Sequence, residues 1–519
     1  MRVTNNMILR NSTYNINGTK GNVDSSMNQM TTQKKITKPS DDPVVAIRSL
    51  RLSTSLSRVE QYYKKNIPDA QSWLDVTETA LTNIKSLMTD IRTQCVNGAT
   101  DTLTQDDRNT ILSQLKALKN QIFAEGNADY AGRTVFTGFR TDQELVFTED
   151  EKDTEYKIQQ KFTYEDMESF RYYTGKVQTP TTGVEVLDTT KIPDITQTNY
   201  YRVTLGYEDI ENMNEFSYSY SGAGGTTEVT FTRKNDGTYV STGAGNMTSY
   251  DAEDDWAAAT GTKEVGDDDI VFIKETGQLI FGANVASEIR TNHATMNMNY
   301  DKKGFEKGEL KPEYYYNCTD NTNPTKPVTY EKFDANGEEI GYDINYTVSA
   351  NQELTVNLEA SDAFNSDIQR DVDDMIRAVE NSIDAHKKLD DIKKMMGETQ
   401  YAGTEYQTSL KKWLSATQKE VDLADDHLQK LYSSEIGKVD DYLKDVNLAI
   451  TKVGCTVDQL ELTETRMSNQ QETIMELQSS NDDLDISEII MNYTSAYNAY
   501  QSSLTAAGKL SGMTLLNYI

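Results

Sequence analysis

The chain has 519 residues, 36% of them hydrophobic and 26% charged, and a formal net charge of −31 at pH 7. That length accommodates two to four domains and a sizeable core. The acidity argues against nucleic acid as a partner, because phosphate binding needs a clustered cationic face. No run approaches the roughly 20 apolar residues of a membrane helix, so no membrane insertion is expected.

The charge is uneven along the chain. Residues 1–100 hold thirteen Lys/Arg against eight Asp/Glu, and Arg2 to Lys38 holds six bases and one acid, Asp24. Arg2, Asn5, Asn6, Arg10, Asn11 and Ser12 occupy the place of a signal peptide's apolar run. The expectation is a cytoplasmic protein, or export by a route that reads an uncleaved polar N-terminus. Cys95, Cys318 and Cys455 are odd in number and widely spaced, unlike a disulfide framework or a metal site.

Leu9, Ile16, Val23 and Met30 recur every seven residues in a stretch rich in Asn, Thr and Ser. This predicts an amphipathic helix over 1–36, weakened by Gly18 and Gly21. Lys38-Pro39-Ser40-Asp41-Asp42-Pro43 breaks it and offers capping oxygens to the next helix. Leu56, Val59, Tyr63, Asn66, Ala70, Trp73, Thr77, Ala80, Ile84, Leu87 and Ile91 then alternate by three and four, a long seam that Pro68 should kink near Lys64. Asn97-Gly98 ends it. A third helix starts at Thr104, with Asp107 placed for a capping box, and runs through Ile111, Leu115, Leu118 and Ile122.

Between about 134 and 350 the period changes to two, as in Tyr201, Val203, Leu205 and Tyr207, and again in Ile340, Tyr342, Ile344, Tyr346 and Val348. Asn235-Asp236-Gly237 and Asn336-Gly337 read as turns, and Ile270–Ile273 with Gln278–Phe281 reads as a hairpin. Thr226 and Thr227, beside Gly222, Gly224 and Gly225, read as a loose loop. Helix returns near 362 with Ile368, Val372, Met375 and Val379, then with Leu410, Leu414, Thr417, Val421, Ala424, Leu428 and Leu431. Val439, Leu443, Val446, Ile450, Val453, Val457 and Leu460 continue that spacing through Met467, Ile474 and Leu477 to a break at 479–483. The last seam is Ile486, Ile490, Tyr493, Tyr497, Tyr500, Leu504 and Ala507.

The fold class expected is therefore α+β. A long antiparallel helical coiled coil or bundle forms from the N- and C-terminal segments, with an inserted β-rich domain. The segments are 1–36 (a terminal helix disordered before assembly), 37–139, an inserted 140–361 of one or two β domains projecting from the frame, 362–480, and 481–519. Both end stripes lack a core of their own, so ordering on assembly is expected, with frayed termini as the plainer alternative.

Little in the chain suggests catalysis. His293, His386 and His427 lie in no H-E-x-x-H pattern, and no phosphate-cradling or nucleophile-elbow glycine motif occurs. His386 and His427 read as partly buried packing residues. Asp254-Asp255 and Asp267-Asp268-Asp269 lack calcium-loop spacing and read as solvated loops. No cofactor, metal or catalytic residue is assigned.

Three local patterns resemble the flagellin superfamily, in particular its hook–filament junction branch. Pro39-Ser40-Asp41-Asp42-Pro43 stands where filament flagellins tend to read Ala-Asp-Asp-Ala-Ala-Gly. Asn66 to Leu81, containing Trp73, is similar to the junction proteins' Asn-Ile, Ala, Trp-Leu, Thr-Glu pattern. Gly132-Arg133-Thr134-Val135-Phe136-Thr137-Gly138-Phe139 resembles their Gly-Arg-Tyr-x-Phe-x-Gly turn. The ending Leu515-Leu516-Asn517-Tyr518-Ile519 is similar to Leu-Leu-Asp-Tyr-Leu.

The resemblance implies a non-catalytic, extracellular flagellar subunit, exported unfolded by the flagellar type III route and assembled through its terminal helices. Its implied partners are further copies of itself in a ring, the other hook-associated junction protein, flagellin and a cytoplasmic export chaperone. The expected assembly residues are Leu9, Ile16, Val23, Met30, Ile486, Ile490, Tyr493, Tyr497, Tyr500 and Leu504. A filament flagellin, a secreted coiled-coil adhesin with a β binding domain, and an enzyme housed in the insert are the alternatives.

Overall fold

A computed structural model of the chain describes residues 5–512 apart from 101–102, 174, 223–224, 262, 335–336 and 364. Gly224, Asn336 and the ending at 515–519 lie outside the described residues. Seven long helices carry the described structure: α1 (Asn5–Thr32), α2 (Pro43–Gln61), α3 (Ile67–Gly98), α4 (Gln105–Gly126), α5 (Asp367–Gly397), α6 (Thr404–Asp482) and α7 (Ile486–Gly512). The two seams read between 404 and 478 are one helix of 79 residues. The chain divides into two compact units, Met1–Gln71 with Asn345–Leu354 and Thr456–Ile519, and Ser72–Ile344 with Thr355–Cys455. This division cuts α3 and α6 internally, where the sequence places its boundaries in the breaks between helices.

In the first unit α1 and α7 form an antiparallel pair, joined where the Lys35 amide donates to Asp482 O (2.7 Å) and the Leu484 amide to Gln33 O (3.1 Å). The Pro39–Pro43 segment is built as its residues dictate. The Asp41 carboxylate accepts the Thr37 and Lys38 amides, and Asp42 Oδ1 accepts Val44 N (2.9 Å) and Val45 N (3.2 Å), capping α2 with Pro43 at its first position. Along α2 and α6 the contacts run antiparallel, from Ser49 Oγ on Asp482 (2.8 Å) to Glu60 accepting from Gln471 Nε2 (3.1 Å).

The α-helix is interrupted around Lys64, where Pro68 is expected to disturb it. Tyr62–Asn66 is a single π-turn, closed by the Ile67 amide on Tyr62 O. The wider turn accommodates a residue that has no N–H and whose ring would strike the carbonyl four residues back. A hairpin of Asn345–Ser349 and Gln352–Thr355 lies against it. There Asn66 Nδ2 donates to Thr347 O (2.8 Å) and the Tyr346 hydroxyl donates to Asp69. Residues 340–344, read as the start of this strand, are irregular.

In the second unit the α3 seam buries Trp73, Leu74, Thr77, Ala80, Leu81, Ile84, Met88, Ile91 and Cys95. The face turns slightly from the expected one, with Met88 buried and Leu87 half-buried. Here α3 runs antiparallel to α6, as Arg92 with Asp440 (2.6 Å) and Ala99 O with Gln429 Nε2 (3.3 Å) show. The capping box at the start of α4 forms as read, with Thr104 and Asp107 each bonding the other's backbone.

Two large sheets lie in the second unit beside a two-stranded ribbon of Asp129–Tyr130 and Arg133–Thr134. A seven-stranded sheet centres on Glu151–Thr163, Thr295–Phe305 and Ile210–Gly222. A five-stranded sheet runs in the order Glu168–Tyr173, Gln197–Thr204, Gln278–Phe281, Ile270–Ile273, Met247–Tyr250. Only its 247–250 and 270–273 pair is parallel. Thr226 and Thr227 sit in the strand Gly225–Arg233, paired with Ser221 and Tyr220, so the expected loose loop is the end of a hairpin.

The segment joining the first two strands of the five-stranded sheet packs on the helices of this unit. Val177, Val186 and Ile195 pack with Ile392, Leu410 and Trp413, and Trp413 Nε1 donates to Val186 O (3.1 Å). Arg370 of α5 donates to Leu205 O (2.9 Å) and Thr276 O (2.5 Å), and Arg202 of the sheet pairs with Asp374 (2.5 Å). Each buried charge is held by a partner, which its burial demands. His427 sits among Phe170 and Tyr173, and burial followed by the nearby Arg202 lowers its pKa to about 4.

Candidate assembly interface

The terminal pair in the first unit meets along a seam that alternates large apolar side chains with small ones. On α1 the half-buried positions are Ile8, Ser12, Ile16, Thr19, Val23, Ser26 and Gln29; on α7 Ile489 is fully buried and Tyr493, Ala496, Tyr500, Ser503 and Ala507 are half-buried. Both sets advance by threes and fours, so each is one helix face. Thr19 Oγ1 lies 3.1 Å from Ser503 Oγ across the seam. Hydroxyls and alanines let the helix axes approach closely but bury little apolar area. At the base of the pair Lys34 Nζ bonds Asp483 Oδ1 at 2.5 Å, and Asp483 is held below the usual carboxylate range by that bond first. Asp485 Oδ1 accepts Ser487 N (2.6 Å) and caps α7.

The residues read from sequence fall into two groups. Ile16, Val23, Tyr493 and Tyr500 lie on the seam between α1 and α7. Leu9 and Met30, on the same heptad line as Ile16 and Val23, are exposed at its two ends, and Ile486, Ile490, Tyr497 and Leu504 are exposed on α7, Ile486 and Ile490 at 58% and 51%. The intramolecular face lies one position away from several of the largest residues of the expected stripes. Sequence reading missed Ile489 and Ala496 and the Ser/Thr positions of α1, because small polar side chains carry no hydropathic signal. The outcome is an internal seam that leaves apolar residues exposed at the ends of the α1 line and along α7.

The motif residues of the second unit form one structure. Gly132 and Gly138 take φ of +75° and +62°, a region open to glycine, and the Gly132 amide donates to Asp129. Phe136 between them is fully buried, and its carbonyl accepts Ala360 N (2.9 Å). The Arg133 guanidinium stands 4.9 Å from the Trp73 ring centre, so the two motifs are in contact.

Residues 3–141 of the chain match the bacterial flagellin N-terminal helical region. Within that class the similarity is to the hook–filament junction proteins. Flagellar hook-associated protein 3 of Salmonella typhimurium is 26% identical over 143 residues, 27% of this chain and 45% of that protein. The Escherichia coli protein of the same name is 28% identical over 115 residues, 22% and 36% of the two chains. The match thus spans less than half the length of either relative. A crystal structure of hook-associated protein 3 from Legionella pneumophila aligns over 83% of this chain and 97% of its own, at 11% identity and a TM-score of 0.29.

Proposed function

We propose that this chain is a structural, non-catalytic subunit of the bacterial flagellum that joins hook to filament. In this reading it is exported unfolded without a cleaved signal peptide and polymerises through its terminal helices outside the cell. The observation that carries the reading is the match of residues 3–141 to the flagellin N-terminal region, with the similarity to two hook-associated proteins 3. The terminal pair supports it, because a seam with apolar residues left exposed at the ends of the α1 line and along α7 is suited to burial by neighbouring subunits. The partners follow from the same reading: further copies in a ring, the other hook-associated junction protein, flagellin, and an export chaperone covering α7 in the cytoplasm.

Deletion of the gene tests this. A junction subunit's loss leaves hooks that shed flagellin monomers into the medium, whereas loss of a filament flagellin leaves hooks with nothing to shed. Normal filaments in the deletion strain would refute both readings.

A further inference from the structure

Two exposed stripes in the first unit have opposite charge and the same spacing. On α2, Val44, Arg48, Arg51, Ser55 and Arg58 are all exposed and advance by four, three, four and three. Successive positions at that spacing form a single line along a helix. None of the three arginines has an ion-pair partner among the described residues. On α6, Asp458, Leu462, Thr465, Asn469, Glu472 and Glu476 are exposed at the same alternation, with Leu462 at 74%. At 1.5 Å per residue the stripes extend for about 21 and about 27 Å, comparable lengths for side-by-side docking.

Among the described residues the two stripes form no ion pair with each other, although Arg48 and Arg51 border a groove that Leu477, Ser480 and Asn481 of α6 also line. The α6 stripe lies opposite the buried Leu460, Thr463, Met467 and Ile474, and the α2 stripe faces away from the buried Ala46. Ser49–Asp482 and Glu60–Gln471 show that α2 and α6 already meet through other faces. In an otherwise strongly acidic chain, an unpaired basic stripe fits an acidic helix of matching period. A second copy carries one.

We infer that the Arg48–Arg51–Arg58 face of α2 docks on the Asp458–Glu472–Glu476 face of α6 in a neighbouring copy of this chain. The contact is head-to-tail, since the two surfaces differ, and repeats into a ring or helical array. Apolar Val44 and Leu462 supply burial towards one end of each stripe, and the charges fix the pairing. The inference rests on the self-assembly reading above and names a surface for it.

Charge reversal tests it in the deletion strain. Arg48→Glu/Arg51→Glu should lower the number of filaments per cell on the order of tenfold or more, as like charges now oppose. Glu472→Arg/Glu476→Arg should do the same. The four substitutions combined should restore filaments, because the contact is again complementary. Wild-type filament numbers in either double variant would overturn this contact while leaving the junction reading intact. Loss in the doubles without recovery in the combined variant would also overturn it, assigning the arginines to a different acidic partner. Because all four positions are exposed, circular dichroism matching the wild type verifies that each variant folds.

Discussion

Glu435 should make the second unit less stable as pH rises. Its side chain is 1% exposed, and Oε2 has no hydrogen-bond partner. The cation against it is Lys438, which also holds Asp371 (2.8 Å) and Glu168 (2.5 Å), while Tyr442 donates to Asp371 (2.6 Å). Cys95 lies nearby on α3, with Arg92 a turn away, and Asp367 adds a further acid on α5. Burial first, then the Asp371 charge, raises Glu435 to about 9.

A carboxyl raised on folding takes up a proton that the unfolded chain has released. Its stabilisation is therefore complete below the unfolded value of about 4.3 and is lost as pH rises through the folded one. Between pH 6 and 8 the slope is about 1.4 kcal/mol per pH unit, or about 2.7 kcal/mol across the interval. In Glu435→Gln this slope disappears, while shape and the contacts of a neutral carboxyl are kept. Trp73, Trp256 and Trp413 all lie in the second unit, so urea titrations followed by tryptophan fluorescence report its unfolding. Parallel stability-versus-pH curves for the two proteins would show that Glu435 is ionised when folded and refute the reasoning.

Gly98→Ala places a Cβ 2.3 Å from Cε2 of the buried Tyr432, and should lower urea stability of the second unit by about 1–3 kcal/mol. Trp413→Ala empties the core shared by α6 and Val177, Val186 and Ile195, costing about 3–5 kcal/mol, with new proteolytic cleavage expected within residues 176–195. Ile490→Asp with Tyr497→Asp alters exposed positions of α7. It should abolish junction assembly and chaperone binding, while the second unit's urea transition stays within about 0.5 kcal/mol of the wild type.

The helices were legible wherever capping chemistry and an apolar period coincided, as at Asp42, Thr104 with Asp107, and Gly98. The β region was legible as strands. Its attachment to α5 and α6 runs through Arg202, Arg370, Asp374 and Trp413, long-range partners that no local pattern announces. The π-turn was hidden for a related reason: proline signals a fault in the hydrogen-bond ladder, and not how the neighbouring turn absorbs it. At the terminal interface the phase of the intramolecular face was not legible. Apolar residues mark a seam only where burial selects it, and here Ser12, Thr19, Ala496 and Ser503 share the contact.

The bridge at Lys34 and Asp483 gives the terminal pair a hinge end and a free end. Among the described residues two backbone bonds and an ion pair close the base, while further out the seam is side-chain packing with a Thr19–Ser503 hydrogen bond, so the pair resembles a zip with its stop at the bottom. Opening starts at the tips and runs towards the stop, and each reclosing begins from the same register. A subunit that must give up its internal pairing to neighbours, and recover it when they are absent, can do so one turn at a time without misaligning its two ends.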